Sequence, residues 1–414
     1  MSVDQAQAGA LSGVRVLDLS RVLAGPWASQ TLGDLGAEVI KVERPGTGDD
    51  TRSWGPPYVK DRAGQDTSDG AYYLCTNRNK KSIAVDLSTP AGQSLVRELA
   101  MTSDVLIENF KVGSLAQYGL DFASLSALNP RLVYCSITGF GHTGPYAERA
   151  GYDFLIQGMG GLMSVTGLPD GEPGAGPMKV GVALTDILTG LYASTSILAA
   201  LQARHHTGKG QHIDLALLDV GVACLANQAM NYLHSGQAPK RMGNAHPNTV
   251  PYQDFPTADG HMILAIGNDG QFAKFCRAAD HPDLSSDVRY ASNQARVANR
   301  STLIPTLRDI TRTRNTREWI TLLESVGVPC GPINNLADVF ADPQVQARGM
   351  QMHMAHERAG QIPLVASPMR LSDTPVQYHQ APPVLGQDTR EVLRQCLNMN
   401  DTTMNELFAR GVVA

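Results

Sequence analysis

The chain has 414 residues, 43% hydrophobic and 18% charged, enough apolar material for two domains or for one large domain with an insertion. A formal net charge of -5 argues against a general nucleic-acid binder, yet leaves room for a local basic pocket that takes a phosphorylated ligand. The six cysteines (Cys75, Cys135, Cys224, Cys276, Cys330 and Cys396) are scattered without paired spacing, so neither a zinc site nor a disulfide framework is expected and a reducing cytoplasm fits best. Met1 to Ala10 is short and polar and lacks a basic-then-apolar pattern, so no secretory signal or transit peptide is expected. No stretch is expected to reach a membrane-spanning apolar length. The longest apolar helix, after Asp186, carries Thr and Ser and reads as a core or subunit-interface helix.

Taken in order, Val14 to Leu19 is a short β-branched run, and the loop Ser20 to Trp27 leads into a helix over Ala28 to Gly36. Ala37 to Glu43 reads as a second strand, completing a βαβ unit. Strands over Ser82–Asp86, Val105–Glu108 and Leu132–Ile137 follow, with a helix over Thr89–Met101, so an α/β domain with a largely parallel sheet is the consequence. The first loop reads R-V-L-A-G-P-W; the glycine fingerprint of dinucleotide sites is missing, which counts against nicotinamide chemistry. Gly158 to Pro177 is rich in Gly and Pro and reads as loop. A D-G turn at Asp259 and Gly260 precedes H-M-I-L-A-I, a hairpin strand. A smaller domain is expected over 225–330, between a large-domain part at 1–224 and a returning part at 331–414.

The stretch from Val180 to Asp214 carries the first chemical hint. Thr185 and Asp186 open a run rich in Leu, Ile and Ala that continues to His206, a mostly buried helix with Asp186 in its first turn. A carboxylate there faces the positive end of the helix, which favours the ionised form. An ionised, aimed and poorly hydrated carboxylate is a usable nucleophile. Thr185 or Asp186 could equally be a plain helix cap, since both residue types are preferred there.

Several ordered motifs decide between these readings: Leu11 to Pro26 (L-S-G-V-R-V-L-D-L-S-R-V-L-A-G-P), Gly36 to Trp54, Asn77 to Leu87 (N-R-N-K-K-S-I-A-V-D-L), Glu108 to Gly113 (E-N-F-K-V-G) and His206 to Asp214 (H-T-G-K-G-Q-H-I-D). Together they resemble the class III CoA-transferases, a family that includes formyl-CoA and carnitine CoA-transferases and shares its fold with α-methylacyl-CoA racemase. The resemblance implies an α/β fold: a Rossmann-like large domain built from both termini, a smaller inserted α+β domain and an interlocked homodimer. It places the family's nucleophilic aspartate on Asp186, which would attack an acyl-CoA thioester to form a mixed anhydride. No metal or other cofactor is implied beyond coenzyme A as substrate, and no nucleic-acid or membrane partner.

The resemblance also assigns a CoA site to Arg44, Asn77, Arg78, Asn79, Lys80, Asn109, Phe110 and Lys111. Gln117 stands where formyl-CoA transferase has a phosphate-binding arginine. Tyr152, Asp153, Leu23, Gly243, Asn244 and His246 are expected to line the acyl site. The racemase branch has histidine at the position of Tyr152, because moving an α-proton needs an acid/base there; tyrosine, with a reference pKa of about 10, favours transfer. Leu23 replaces an active-site glutamine of formyl-CoA transferase, which argues against a formyl or oxalyl specialist. The pattern is most similar to the succinyl-CoA-dependent branch that acts on dicarboxylates such as glutarate. Arg52, Lys179, Arg241 and His246 are expected as candidates for clamping a distal carboxylate. The alternatives are a racemase or isomerase of the same fold and a non-catalytic acyl-CoA-binding protein. Cys135 and His142 match no role.

Overall fold

The computed structural model describes residues 8–414; the reading of the first seven residues as free of a targeting signal lies outside them. The chain divides into two compact units. The larger holds the residues up to Leu162 together with Val180–Ala229 and Gln344–Ala414, and the smaller holds Met163–Lys179 and Met230–Pro343.

The larger unit is built on six strands: β1 (Arg15–Asp18), β2 (Glu38–Glu43), β3 (Lys80–Ala84), β4 (Val105–Glu108), β5 (Val133–Thr138) and β6 (His212–Ala216). They lie in the order β3-β2-β1-β4-β5-β6, and every pairing is parallel. This is the doubly wound order of a Rossmann sheet, whose ligand crevice lies at the carboxyl ends where the order reverses, here between β1 and β4. Both faces of the sheet are covered, so the strands read as apolar runs instead of alternating with polar residues. Successive side chains point to opposite faces. Leu17, Ile40, Leu106 and Tyr134 enter one core with Leu95, Leu99, Val392 and Leu393. Val16, Val39, Val105 and Val133 enter the other with Ala28, Leu32, Ala193 and Ile197.

Two helices fill that second face, α1 (Ala24–Asp34) and, later in the chain, α3 (Leu184–Thr207). α1 begins four residues before the expected Ala28, because Pro26 falls in the first turn, where its missing N–H costs no hydrogen bond. α3 has 24 residues and holds an 18-residue window with a mean hydropathy of 1.4, long and apolar enough to cross a membrane by length and composition, which corrects the expectation that no stretch would be. Its buried stripe of Ala193, Ile197, Ala200 and Leu201 packs in the sheet core, as a core helix of an α/β layer does. The crossing with α1 is close at Gly190, where an added Cβ would lie 2.7 Å from the Ala24 carbonyl oxygen and 2.9 Å from Trp27 Cβ. Gly190→Ala is therefore expected to destabilise the protein by about 1–3 kcal/mol, read as a lower chemical-denaturation midpoint with an unchanged slope.

The smaller unit carries an antiparallel sheet of β7 (Tyr252–Pro256), β8 (His261–Ala265) and β9 (Cys330–Pro332). The turn at Asp259 and Gly260 joins the first two, as alternating residues around a D-G pair predict. Phe255, Phe272, Phe275 and Trp319 form its core. The return to the larger unit comes at Gln344, later than 331, because Cys330–Pro332 is still an edge strand of the small sheet. The Gly- and Pro-rich segment 163–179 joins the smaller unit because its partners are there: Gly243 N–H donates to the Gly167 carbonyl at 3.0 Å, and Arg241 bonds the Leu168 carbonyl and pairs with Asp170.

Candidate active site

Loops leaving the carboxyl ends of β1 to β5 enclose two neighbouring cavities in the larger unit. The first, about 550 Å³, is lined by Leu19–Arg21, Lys41–Pro45, Asp49, Val85–Ser88 and Phe110. The second, about 210 Å³, is lined by Arg21–Ala24, Asn109–Val112, Ile137–Gly139, Arg149–Tyr152 and Asp186. Arg21 and Phe110 line both. The switch point of the sheet thus opens onto two cavities with a common wall.

A buried charge network holds the β1 loop that forms this wall. Asp18 accepts bonds from Ser20 Oγ at 2.5 Å, Ser29 Oγ at 2.6 Å and Lys80 Nζ at 3.1 Å. Burial alone would raise its pKa, but Lys80 and Lys41 hold it down to about 2. Lys41 Nζ donates to the Ser20 carbonyl and to Asp49, each at 2.9 Å. Asp49 in turn accepts the Val22 N–H at 3.2 Å. Val22 has φ +71°, a costly conformation for a β-branched residue that persists only where its surroundings over-determine it. Asn109 completes the hold: it accepts the Arg21 N–H at 3.0 Å and donates to the Arg21 carbonyl at 2.7 Å.

Four expected CoA contacts therefore take a different place. Asn77, Arg78, Asn79 and Lys80 are buried and line neither cavity. Arg78 pairs with Asp34 at 2.5 Å, Asn79 bonds Asp34 and the Gln377 carbonyl, and Asn77 bonds the Tyr73 carbonyl. Lys80 pairs with Asp18, and burial lowers its pKa to about 8. The four side chains brace the loops from inside: Arg78 and Lys80 are already desolvated and paired with carboxylates, and the two asparagines are bonded to neighbouring protein groups. Arg44 lines the larger cavity, Asn109 and Lys111 the smaller, and Phe110 both.

Asp186 stands in the first turn of α3 and is half-buried in the smaller cavity. The helix begins after Ala183, and neither Thr185 nor Asp186 caps it. The cap comes from α2 (Asp153–Met159): Asp153 Oδ1 accepts the N–H of Thr185 at 2.9 Å and of Asp186 at 3.4 Å. This overturns the expectation that the helix terminus would keep Asp186 firmly anionic. The first N–H groups are spent on Asp153, while burial and then the Asp153 charge push the Asp186 carboxyl up to about 7.

Tyr152, immediately before α2, lines the same cavity and is 65% exposed. Leu23 lines it from the buried side, just before α1, whose start has no side-chain cap. Gly243, Asn244 and His246 belong to the smaller unit, where Asn244 bonds Asp254 at 3.0 Å and His246 N–H bonds the Tyr252 carbonyl at 3.0 Å. Arg52, expected as a clamp, is buried and saturated by Glu43, Asp69 and Tyr73. Sequence reasoning missed Val22, Arg149 and Tyr72. Burial raises the Tyr72 hydroxyl to about 12, with Cys75, Asp186 and Asp153 adding to the effect. None has a local signal: Val22 and Arg149 reach the cavity of Asp186 on separate loops, and Tyr72 comes from the short helix Ala71–Leu74. Among the described residues, no three His, Cys, Asp or Glu side chains gather as a metal site requires.

A carboxylate poised near neutrality, at the switch point of a parallel sheet and beside a second cavity edged by arginines, defines a class of α/β enzyme that handles a large anionic ligand. The chain matches CoA-transferase family III over residues 11–389. It is 54% identical over 385 residues to a succinate–glutarate CoA-transferase of Agrobacterium fabrum, covering 93% of this chain and 95% of that one. It is 46% identical over 403 residues to a human succinyl-CoA:glutarate CoA-transferase, covering 97% and 90%. A CAIB/BAIF family protein from Brucella suis superposes with a TM-score of 0.82 at 52% identity, over 94% of this chain and all of the other. The protein belongs to CoA-transferase family III and is an enzyme that transfers CoA.

Proposed function

We propose that this enzyme moves CoA from succinyl-CoA to glutarate through covalent catalysis on Asp186. The observation that carries the reading is the Asp186 carboxylate in a small cavity that shares a wall with a larger one able to take the nucleotide. Arg44 would meet a phosphate in the larger cavity, and the pantetheine would cross at Arg21 and Phe110. The Asp186 carboxylate attacks the thioester carbon of succinyl-CoA; the C–S bond breaks, CoA leaves as the thiolate, and an aspartyl–succinyl anhydride remains. The thiolate attacks the aspartyl carbonyl and releases succinate, leaving CoA on Asp186 as a thioester. Glutarate attacks that thioester, and the returning thiolate takes the glutaryl group and frees the Asp186 carboxylate. Atoms and charge balance at every step without a cofactor other than CoA. The uncapped start of α1 beside Leu23 and Ala24 supplies N–H groups for the tetrahedral oxyanions, and Tyr152 borders the acyl group.

The relatives' names support the two acids. The proposed assembly is an interlocked homodimer in the cytoplasm, the large Rossmann-like domain carrying the smaller one as an insertion. Phe154, Leu155 and Met159 on α2 and Leu191 and Tyr192 on α3 are exposed apolar residues, and such a patch suits a second copy of the chain. Intact-protein mass spectrometry after quenching with succinyl-CoA and hydroxylamine tests the chemistry. A hydroxamate confined to the peptide holding Asp186, absent in Asp186→Ala, is the expected result. Exchange of the α-proton with solvent deuterium, without change of acyl partner, would instead identify a racemase.

A further inference from the structure

A dicarboxylate that brings one carboxyl group to Asp186 carries a second, ionised one into the same cavity. A cation in the wall would pair with that charge and fix the direction in which the acid lies. The cavity has three: Arg21, Lys111 and Arg149. Arg21 lies in the wall common to both cavities and pairs with Asp50 at 3.0 Å, and Lys111 follows Phe110, the other common residue. Both stand where CoA itself must pass. Arg149 lines only the smaller cavity.

Arg149 is also built to receive a carboxylate. Its guanidinium lies 4.6 Å from the centre of the Tyr146 ring and 5.0 Å from that of Phe140, a stacking that fixes the plane and leaves the N–H edges open. Among the described residues it has no acidic partner; one N–H reaches the Met159 sulfur at 3.8 Å, a weak acceptor that a carboxylate would displace. Its loop has little freedom. The Arg149 N–H donates to the Tyr146 carbonyl at 2.9 Å, and Gly151 presses on Gly139 so closely that an added Cβ would sit 2.5 Å from the Gly139 Cα. The fork is thus held at the end of β5 beside Tyr152. The cations expected from sequence are placed otherwise: Arg52 is saturated, and Lys179, Arg241 and His246 lie in the smaller unit.

We infer that Arg149 binds the second carboxylate of the acyl group, in donor and acceptor alike, and thereby sets the preference for dicarboxylic over monocarboxylic acids. The inference rests on the proposed transfer between dicarboxylates. Its test is the ratio of kcat/KM for glutarate to that for pentanoate, which has the same carbon chain without the second carboxylate, at one fixed succinyl-CoA concentration. The ratio cancels any change in donor handling and any loss of folded enzyme. Losing a charge-assisted bidentate contact is expected to lower it by about 10- to 100-fold in Arg149→Gln, mainly through KM for glutarate. Arg149→Glu should lower it further, and Arg149→Lys should recover part of it. If Arg149→Gln is inactive with both acids, the lysine and glutamate variants still order the ratio. A ratio within about twofold of wild type across the active variants overturns the role of Arg149. A wild-type enzyme that transfers CoA to neither acid refutes the dicarboxylate reading, and this inference with it.

Discussion

Asp186→Asn is expected to lower CoA transfer by at least about 10⁴-fold, the scale seen when a covalent nucleophile is removed, while the enzyme still binds CoA. The amide keeps the size and shape of the side chain, and the N-terminal turn of α3 is held by Asp153 and not by residue 186. The variant should therefore fold and melt like the parent. Equilibrium binding of CoA, proposed to use the larger cavity, gives the control. Retention of more than about a tenth of the turnover would exclude a covalent role for this carboxylate.

The acid limb of the pH profile carries the second large effect. The proposed nucleophile is the ionised carboxylate, and burial with the Asp153 charge places the Asp186 carboxyl at about 7. Raising the pKa of an acid makes the reactive form scarce below that value and complete above it. kcat/KM for succinyl-CoA should rise about tenfold per pH unit up to pH 7 and level off above pH 8. At pH 5 it should stand about 100-fold below the plateau. Asp153→Asn separates the two causes: the amide oxygen can still accept the Thr185 N–H, so the helix start persists, but the like charge is gone. The limb should move toward lower pH by only part of the shift, because burial is the larger cause. A wild-type limb near the ordinary carboxylate range of about 4 would show that the cavity does not desolvate Asp186.

These predictions rest on features of unequal legibility. Five of the six parallel strands and the helices α1 and α3 could be read from apolar runs and turn residues; the edge strand His212–Ala216 and the short helix α2 were not. Burial on both faces writes a β-branched segment such as E-V-I-K-V-E almost directly, and a buried helix writes the long run after Asp186. The family resemblance then singled out Asp186 and the loops that carry Arg44, Asn109, Phe110 and Lys111.

The roles of charged residues were not legible in this way. Asn77 to Lys80 look like a basic, ligand-binding string, yet folding places Arg78 and Asn79 against Asp34 and Lys80 against Asp18, more than 40 residues away in sequence. Whether a cation meets a phosphate or a buried carboxylate depends on which distant acid the topology delivers to it. The same holds for Asp153, whose bond to Thr185 spans 32 residues: it takes up an N–H of the helix's first turn, and its charge adds to burial, the larger cause, in pushing the Asp186 carboxyl up to about 7. Periodicity and turn chemistry are local and survive in one dimension, so the chain by itself determined most of its strands and the long helix that carries Asp186. Desolvation and charge pairing depend on three-dimensional distance, so only the tertiary structure decided the raised pKa of Asp186, the burial of Asn77 to Lys80, and the placing of Arg149 in the cavity that Asp186 lines.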